Sequence, residues 1–266
     1  MKFNFDSKKT VVVKVGTSTL THESGLLNIR KIELLVKCLA DLQNSGRHMI
    51  LVTSGAVSCG IAKIGLFGKQ LTTVEKQAAA SVGQCELIDI YDRNFSLYGH
   101  KIAQILITKD TVDDAVRSAS ASGTFKTLLE YGCIPVVNEN DTVSSEQITF
   151  GGNDTLSVSV ARLAGADLII NMSDVDGLFD KNPRNYNDAK LIKYVPEINE
   201  QIKQYAEGAG TKRGTGGMRT KLEAAETSLE NGIPMIIVNG SNPCILYDIF
   251  DGEFTGTYFG KADTKQ

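Results

Sequence analysis

Six short runs of almost unbroken apolar residues, rich in β-branched side chains, punctuate this chain. They are VVVKV (11 to 15), HMILVT (48 to 53), KIAQILIT (101 to 108), IPVVN (134 to 138), DLIINM (167 to 172) and PMIIVN (234 to 239). Strands that are apolar throughout, rather than alternating, have to be covered on both faces, as happens when helices flank a parallel sheet. The intervening segments carry helical periodicity. Over 28 to 44, Ile29, Ile32, Leu35, Val36, Leu39 and Leu42 form one apolar face, and the segment from 73 to 97 opens on a Thr72-x-x-Glu75 capping-box pattern. Gly46 and Gly99 follow these two segments as stops. Further helices are expected over 111 to 131, 154 to 164, 197 to 206 and 217 to 231. Strand and helix alternating in this way predict repeated βα units around a parallel sheet.

A length of 266 residues with 42% hydrophobic and 22% charged side chains suits one large domain or two intimate lobes, and excludes a disordered tail protein. The 28 basic and 31 acidic residues leave a net charge of -3, so no overall positive field exists to hold nucleic acid, and a compact ligand is expected instead. The first apolar stretch is five residues interrupted by Lys14, too short for a signal sequence or a membrane span, which points to a cytoplasmic chain without a membrane partner. Cys38, Cys59, Cys85, Cys133 and Cys244 lack metal-ligand spacing and are read as reduced and mostly buried. His22, His48 and His100 likewise form no metal spacing.

Lys14 stands inside an apolar strand, where an unpaired ammonium is costly to bury. Either it meets an anion at the carboxyl end of a central strand, beside the amides of Gly16, Thr17 and Ser18, or it sits on an edge strand and snorkels to water. The second run ends in Thr53-Ser54-Gly55-Ala56-Val57, a small-residue turn into a helix, read either as an anion-facing turn or as an ordinary cap. Asn138-Glu139-Asn140-Asp141 and Gly151-Gly152-Asn153-Asp154 again follow a strand, as groups for an amino acid or for orienting lysines, or as turn and cap residues. A glycine-rich loop, Gly214 to Lys221, opens a helix and puts Lys221 one turn inside it, a pairing of amides and ammonium suited to phosphoryl transfer. No GxxxxGK[ST], GxGxxG or HRD motif occurs, which disfavours P-loop NTPases, dinucleotide-linked dehydrogenases and protein kinases.

Taken together, VVVKVGTSTL, LVTSGAV, PVVNENDTV, FGGNDTLSVSVARLAGAD, SDVDGLF and GTGGMRTK resemble the amino acid kinase family, and within it the members that act on the γ-carboxylate of glutamate. The resemblance runs from about residue 9 to 260 and implies a three-layer αβα sandwich with a mainly parallel central sheet. It implies a single domain over 1 to 266, with a glutamate-binding lobe to about 165 and a nucleotide-binding lobe from about 166. The C-terminal PUA domain of many relatives is not expected. By motif, Lys14 and Lys221 would neutralise the migrating phosphoryl group and Asp154 would hold both lysines. Ser54, Gly55, Asp141 and Asn153 would contact L-glutamate, while Lys14, Gly16, Ser173, Asp174, Thr215, Gly216, Gly217, Met218, Arg219, Thr220 and Lys221 would line ATP. Lys181 to Arg184 would flank the base. Magnesium would travel on ATP without direct protein ligands.

The same resemblance implies proline as feedback inhibitor, glutamate-5-semialdehyde dehydrogenase as the partner that uses the product, and a homo-oligomer, dimer or tetramer. Three departures fall near the substrate motifs: Gly152 where an acidic residue is common, and Gln147 and Thr149 where Glu and a basic residue are usual. Ser173 replaces a threonine and keeps its hydroxyl. The alternatives are a phosphotransferase of the same fold acting on acetylglutamate, aspartate, a nucleoside monophosphate or an isoprenoid phosphate, and a catalytically silent nucleotide sensor. The NENDT segment and GTGGMRTK loop favour glutamate, and retention of both lysines disfavours the sensor.

Overall fold

In chain order the elements are β1 (Thr10–Val15), α1 (Thr17–Leu20), α2 (Ile29–Asn44), β2 (His48–Val52), α3 (Ala56–Lys63), α4 (Thr73–Ser96), β3 (Ile102–Ile107), α5 (Lys109–Asp113) and α6 (Ala115–Glu130), as seen in a computed structural model. They continue with β4 (Ile134–Glu139), α7 (Asn153–Ala164), β5 (Leu168–Ser173), β6 (Tyr194–Val195), α8 (Glu200–Glu207), α9 (Met218–Glu230), β7 (Met235–Asn239), α10 (Ile245–Phe250) and β8 (Gly256–Phe259). The structure describes residues 3–144, 150, 152–207 and 217–261.

The strands form one sheet in the order β3-β4-β2-β1-β5-β7-β8-β6, parallel throughout except where β8 runs against β7. Strand β1 is therefore interior, between β2 and β5, which settles the position of Lys14 in favour of a central strand. Period-two alternation sorts each strand's side chains into two layers. Val11, Val13, Val15, Leu51 and Ile170 pack under α2, α4 and α10, whereas Val12, Ile50, Val52 and Ile169 pack under α6, α7 and α9. Helices on both faces of the sheet complete the αβα sandwich. Lys14 shares the parity of Val12, and Asn171 that of Ile169, so both point to the α7 and α9 side.

Several local expectations hold. Thr72 and Glu75 close a full capping box at the start of α4, and Gly46 and Gly99 adopt positive φ after their helices. Others are corrected. Edge strand β3 is only partly covered, with Gln104 and Leu106 exposed, because no strand lies beyond it among the described residues. The expected helix over 111 to 131 is two, broken where Asp114 turns extended and its carboxylate accepts the Arg117 amide. Strands β6 and β8 escape sequence reading because two and four residues carry too little pattern. The cysteines are all free, but only Cys38 and Cys59 are buried, and Cys85 is exposed.

Helices α3 and α4 touch backbone to backbone. A Cβ at Gly60 would lie 1.7 Å from the Ala79 carbonyl oxygen, and one at Gly83 would lie 1.9 Å from that of Ala56. Glycine at both positions therefore lets α4 hold the start of α3, and with it the Ser54-Gly55 turn, against the sheet.

Candidate active site

The carboxyl ends of β1, β2, β4 and β5 meet the amino ends of α3, α7 and α9 along one edge of the sheet, the crevice that open α/β sheets use for ligands. At its centre lies Asp154, in the first turn of α7 and only 5% exposed. Its Oδ1 accepts Lys14 Nζ at 2.5 Å and Asn171 Nδ2 at 2.8 Å, and its Oδ2 accepts Lys221 Nζ at 3.1 Å and Thr220 Oγ1 at 3.4 Å. Lys14 and Lys221, 6% and 5% exposed, come from β1 and from the first turn of α9. Two residues 207 positions apart in sequence thus converge on one carboxylate.

In this triad two ammonium groups face one carboxylate, and the Asp174 charge acts more weakly on Lys14. Burial alone would push the Asp154 carboxyl up, but Lys14 and Lys221 outweigh it and hold it near 2. Burial pulls Lys14 below its ordinary range, opposed by the Asp154 charge and reinforced by the nearby Lys221. An added phosphate would relieve that tension.

On one side of the triad the wall is polar. Asn153 Nδ2 donates to Ser54 Oγ at 2.8 Å, to Asn138 Oδ1 at 3.1 Å and to the Thr53 carbonyl. Thr53 is itself held through its hydroxyl by Tyr91 of α4 at 2.9 Å. Gly55 turns the chain into α3 with φ of 104°, a left-handed conformation that favours glycine. Glu139 is buried and accepts Ser144 Oγ and the Phe150 amide, both at 3.2 Å. Asp141, in that loop, is half-buried; desolvation and then the Glu139 charge raise its carboxyl to about 6.

On the other side opens a cleft with a mainly apolar wall, lined among others by Val175, Leu178, Pro183, Tyr205 and Met218, with Gly217 and Lys221 also lining it. Asp174 lies at its rim, 3.8 Å from Arg184, and the buried Ser173 donates to the Asp174 carboxylate. Lys181, Asn182, Pro183 and Arg184 all line this cleft.

Of the residues singled out by sequence, Lys14, Asp154, Thr220 and Lys221 are brought into one cluster, and Ser54 and Asn153 into direct contact. Gly16 adjoins them, since a Cβ there would lie 3.9 Å from Lys14 Nζ. Gly217 and Met218 line the cleft, but the Arg219 side chain turns out to pair with Glu223 on the exposed face of α9. Thr215 and Gly216, with Gln147 and Thr149, lie outside the described residues. Three participants were missed by sequence reasoning: Asn171, Gln84 and Tyr205. Asn171 carried a usable signal, a polar residue inside the apolar run DLIINM, the same anomaly that marks Lys14. Gln84 and Tyr205 sit on helices among many polar residues and carried none.

Comparison with known proteins identifies the family. The amino acid kinase family matches residues 9–239. A protein named glutamate 5-kinase from Clostridium perfringens (strain 13 / Type A) is 49% identical over 96% of both chains. Another of that name from Clostridium tetani (strain Massachusetts / E88) is 51% identical over 94% of both. Among solved structures, the UMP kinase of Ureaplasma parvum superposes with a TM-score of 0.68 at 14% identity, covering 96% of this chain and 99% of its own, a likeness of fold alone. A match over most of the length and relatives at about half identity lead to one conclusion: the chain belongs to the amino acid kinase family.

Proposed function

We propose that this chain transfers the γ-phosphoryl group of ATP to the γ-carboxylate of L-glutamate, giving γ-glutamyl phosphate and ADP. The observation that carries the reading is the buried triad, two ammonium groups converging on one carboxylate, set between a polar wall and an apolar cleft. The identity of about 50% to proteins named glutamate 5-kinase supports the choice of acceptor.

The chemistry asks little beyond charge management. A γ-carboxylate is already ionised at neutral pH, so no base is required; its oxygen attacks the γ-phosphorus while the bond from that phosphorus to the β,γ-bridging oxygen breaks and ADP departs. The obstacle is bringing an anion up to a polyanion. Lys14 and Lys221 would face the equatorial oxygens of the transferring group, and preorganised donors of this kind are each worth about 3 to 4 kcal/mol of barrier. Asp154 would position both ammonium groups without touching the substrate. Ser54, Gly55, Asp141 and Asn153 would hold glutamate. The purine would enter the cleft between Val175, Leu178, Pro183 and Tyr205, past Ser173 and Asp174.

Both Asp154 oxygens are already engaged by ammonium groups, so this carboxylate is turned away from metal ligation. Magnesium would arrive on the nucleotide and screen its phosphates. The wall residues lie before 165 and the cleft residues after 166, in keeping with glutamate-binding and nucleotide-binding lobes that share one sheet. No helix among the described residues is long and apolar enough to cross a membrane, and the product is an acyl phosphate that water destroys. Such a product calls for a nearby reductase, for which glutamate-5-semialdehyde dehydrogenase is the expected partner. Family likeness extends the proposal to proline as feedback inhibitor and to a dimer or tetramer.

The test is to trap the acyl phosphate with hydroxylamine in the presence of ATP and magnesium, offering glutamate, aspartate and acetylglutamate in parallel. Hydroxamate from glutamate is the expected outcome. Hydroxamate from acetylglutamate alone would reassign the acceptor.

A further inference from the structure

Three amide side chains form a chain of hydrogen bonds that ends at the substrate wall. Asn138 Nδ2 donates to Gln84 Oε1 at 3.0 Å, and Asn153 Nδ2 donates to Asn138 Oδ1 at 3.1 Å. The direction of this chain is dictated by backbone groups. The Glu139 amide, which can only donate, gives its hydrogen to Asn138 Oδ1 at 2.9 Å. That bond fixes Asn138 Oδ1 as the acceptor, sends Asn138 Nδ2 toward α4, and obliges Gln84 to answer with its oxygen. At the other end the Thr53 carbonyl, which can only accept, faces Asn153 Nδ2. The two N–H bonds of Asn153 are thus spent on Thr53, Ser54 and Asn138, and Asn153 is left with a carbonyl oxygen that no donor among the described residues engages.

We infer that Gln84 is a positioning residue for amino acid recognition: through Asn138 it locks the Asn153 amide so that Asn153 Oδ1 accepts the α-ammonium of the substrate. This rests on the proposed function and adds to it an orientation for the bound amino acid. An acceptor at Asn153 attracts the ammonium and repels the α-carboxylate, so Asn153 reads the nitrogen end. Aligned amides polarise one another, which strengthens the terminal acceptor. Helix α4, already pressed onto α3 at Gly60 and Gly83, supplies the fixed end of the chain.

The role demands an acceptor at position 84 and nothing else, which makes it testable by the hydroxamate assay on the purified full chain. Gln84→Leu and Gln84→Met remove the oxygen that receives Asn138, and each is expected to raise KM for glutamate about tenfold, with KM for ATP unchanged and kcat within about twofold. Gln84→Glu keeps an acceptor and is expected to stay within about threefold of the wild-type KM. Glutarate, which lacks the amine, supplies the control: its inhibition constant against glutamate is expected to be the same in wild type and Gln84→Leu. Unchanged KM for glutamate in both apolar variants would overturn the inference. So would a Gln84→Glu defect equal to that of Gln84→Leu, or an equal loss of glutarate binding. If wild type itself forms no glutamate hydroxamate, the proposed function falls and takes this inference with it, whereas wild-type turnover with an unmoved KM sinks the inference alone.

Discussion

The two sides of Asp154 solve different problems with different physics. Toward the cleft, Lys14 and Lys221 are buried charges whose positions are enforced by Coulomb attraction to one carboxylate, in surroundings where screening is weak. Toward the polar wall, Ser54, Asn138 and Asn153 are neutral groups, held by directional hydrogen bonds anchored on α4. Charge provides strength and the amides provide direction. Phosphoryl transfer needs the former, because its transition state spreads negative charge over several oxygens. Telling one small amino acid from another needs the latter, because an unmatched donor or acceptor is penalised heavily in a site built to pair it.

Perturbing the charged side strikes turnover hardest. Lys14→Ala and Lys221→Ala are expected to lower kcat by about two or more orders of magnitude. The fold should survive each change, since Asp154 keeps one ammonium and the Asn171 amide as partners, and a thermal melt beside the kinetics checks this. Near-normal turnover in either variant would remove that lysine from its role and erase the distinction drawn here.

The wall responds through substrate affinity and through pH. Asp141 has its carboxyl raised by burial and by Glu139 to about 6, above the ordinary value of 3.8. A raised carboxyl binds its proton more tightly in the folded protein, so as pH falls through about 6 the negative charge available to an ammonium disappears. We expect kcat/KM for glutamate to decline below that pH while KM for ATP stays level, and Asp141→Asn to flatten the decline. For stability the sign is opposite: the ionised form is disfavoured by folding, so this residue costs stability as pH rises from about 4 to 6 and costs nothing below.

The smallest expected effect lies at the seam between the two regions. Asn171 is fully buried, donates to Asp154 Oδ1, and leaves its own oxygen without a partner among the described residues. Asn171→Leu removes one bond to a carboxylate that keeps two ammonium partners and also removes the orphaned acceptor. A drop in kcat of only about threefold, with an unchanged or higher melting temperature, is the expected result. A loss as large as that of the lysine variants would make the amide an equal member of the charged cluster.

The fold was legible wherever a segment was long enough to carry a period. Six strands and the principal helices follow from apolar runs and 3.6-residue spacing, while β6, β8 and the break at Asp114 were too short or too local to register. The site was legible where a residue contradicted its surroundings, as Lys14 does within VVVKV, or where a motif likeness marked it, as with Asp154 and Lys221. Arg219 shows the limit of motif likeness, because membership of the glycine-rich segment did not bring its side chain to the cleft.

What the chain's order of residues settled by itself was local: which stretches are buried strands, where helices begin and stop, and that a lysine in a covered strand requires an anion. Which anion it meets, that a second lysine from the far end of the chain shares it, and which way three amides point toward the substrate were decided only by packing. Lys14 and Asp154 are 140 positions apart, Lys221 and Asp154 are 67, and Asn138 and Gln84 are 54, and no periodicity or spacing encodes a distance that arises only when the sheet and its two helical layers close on one another.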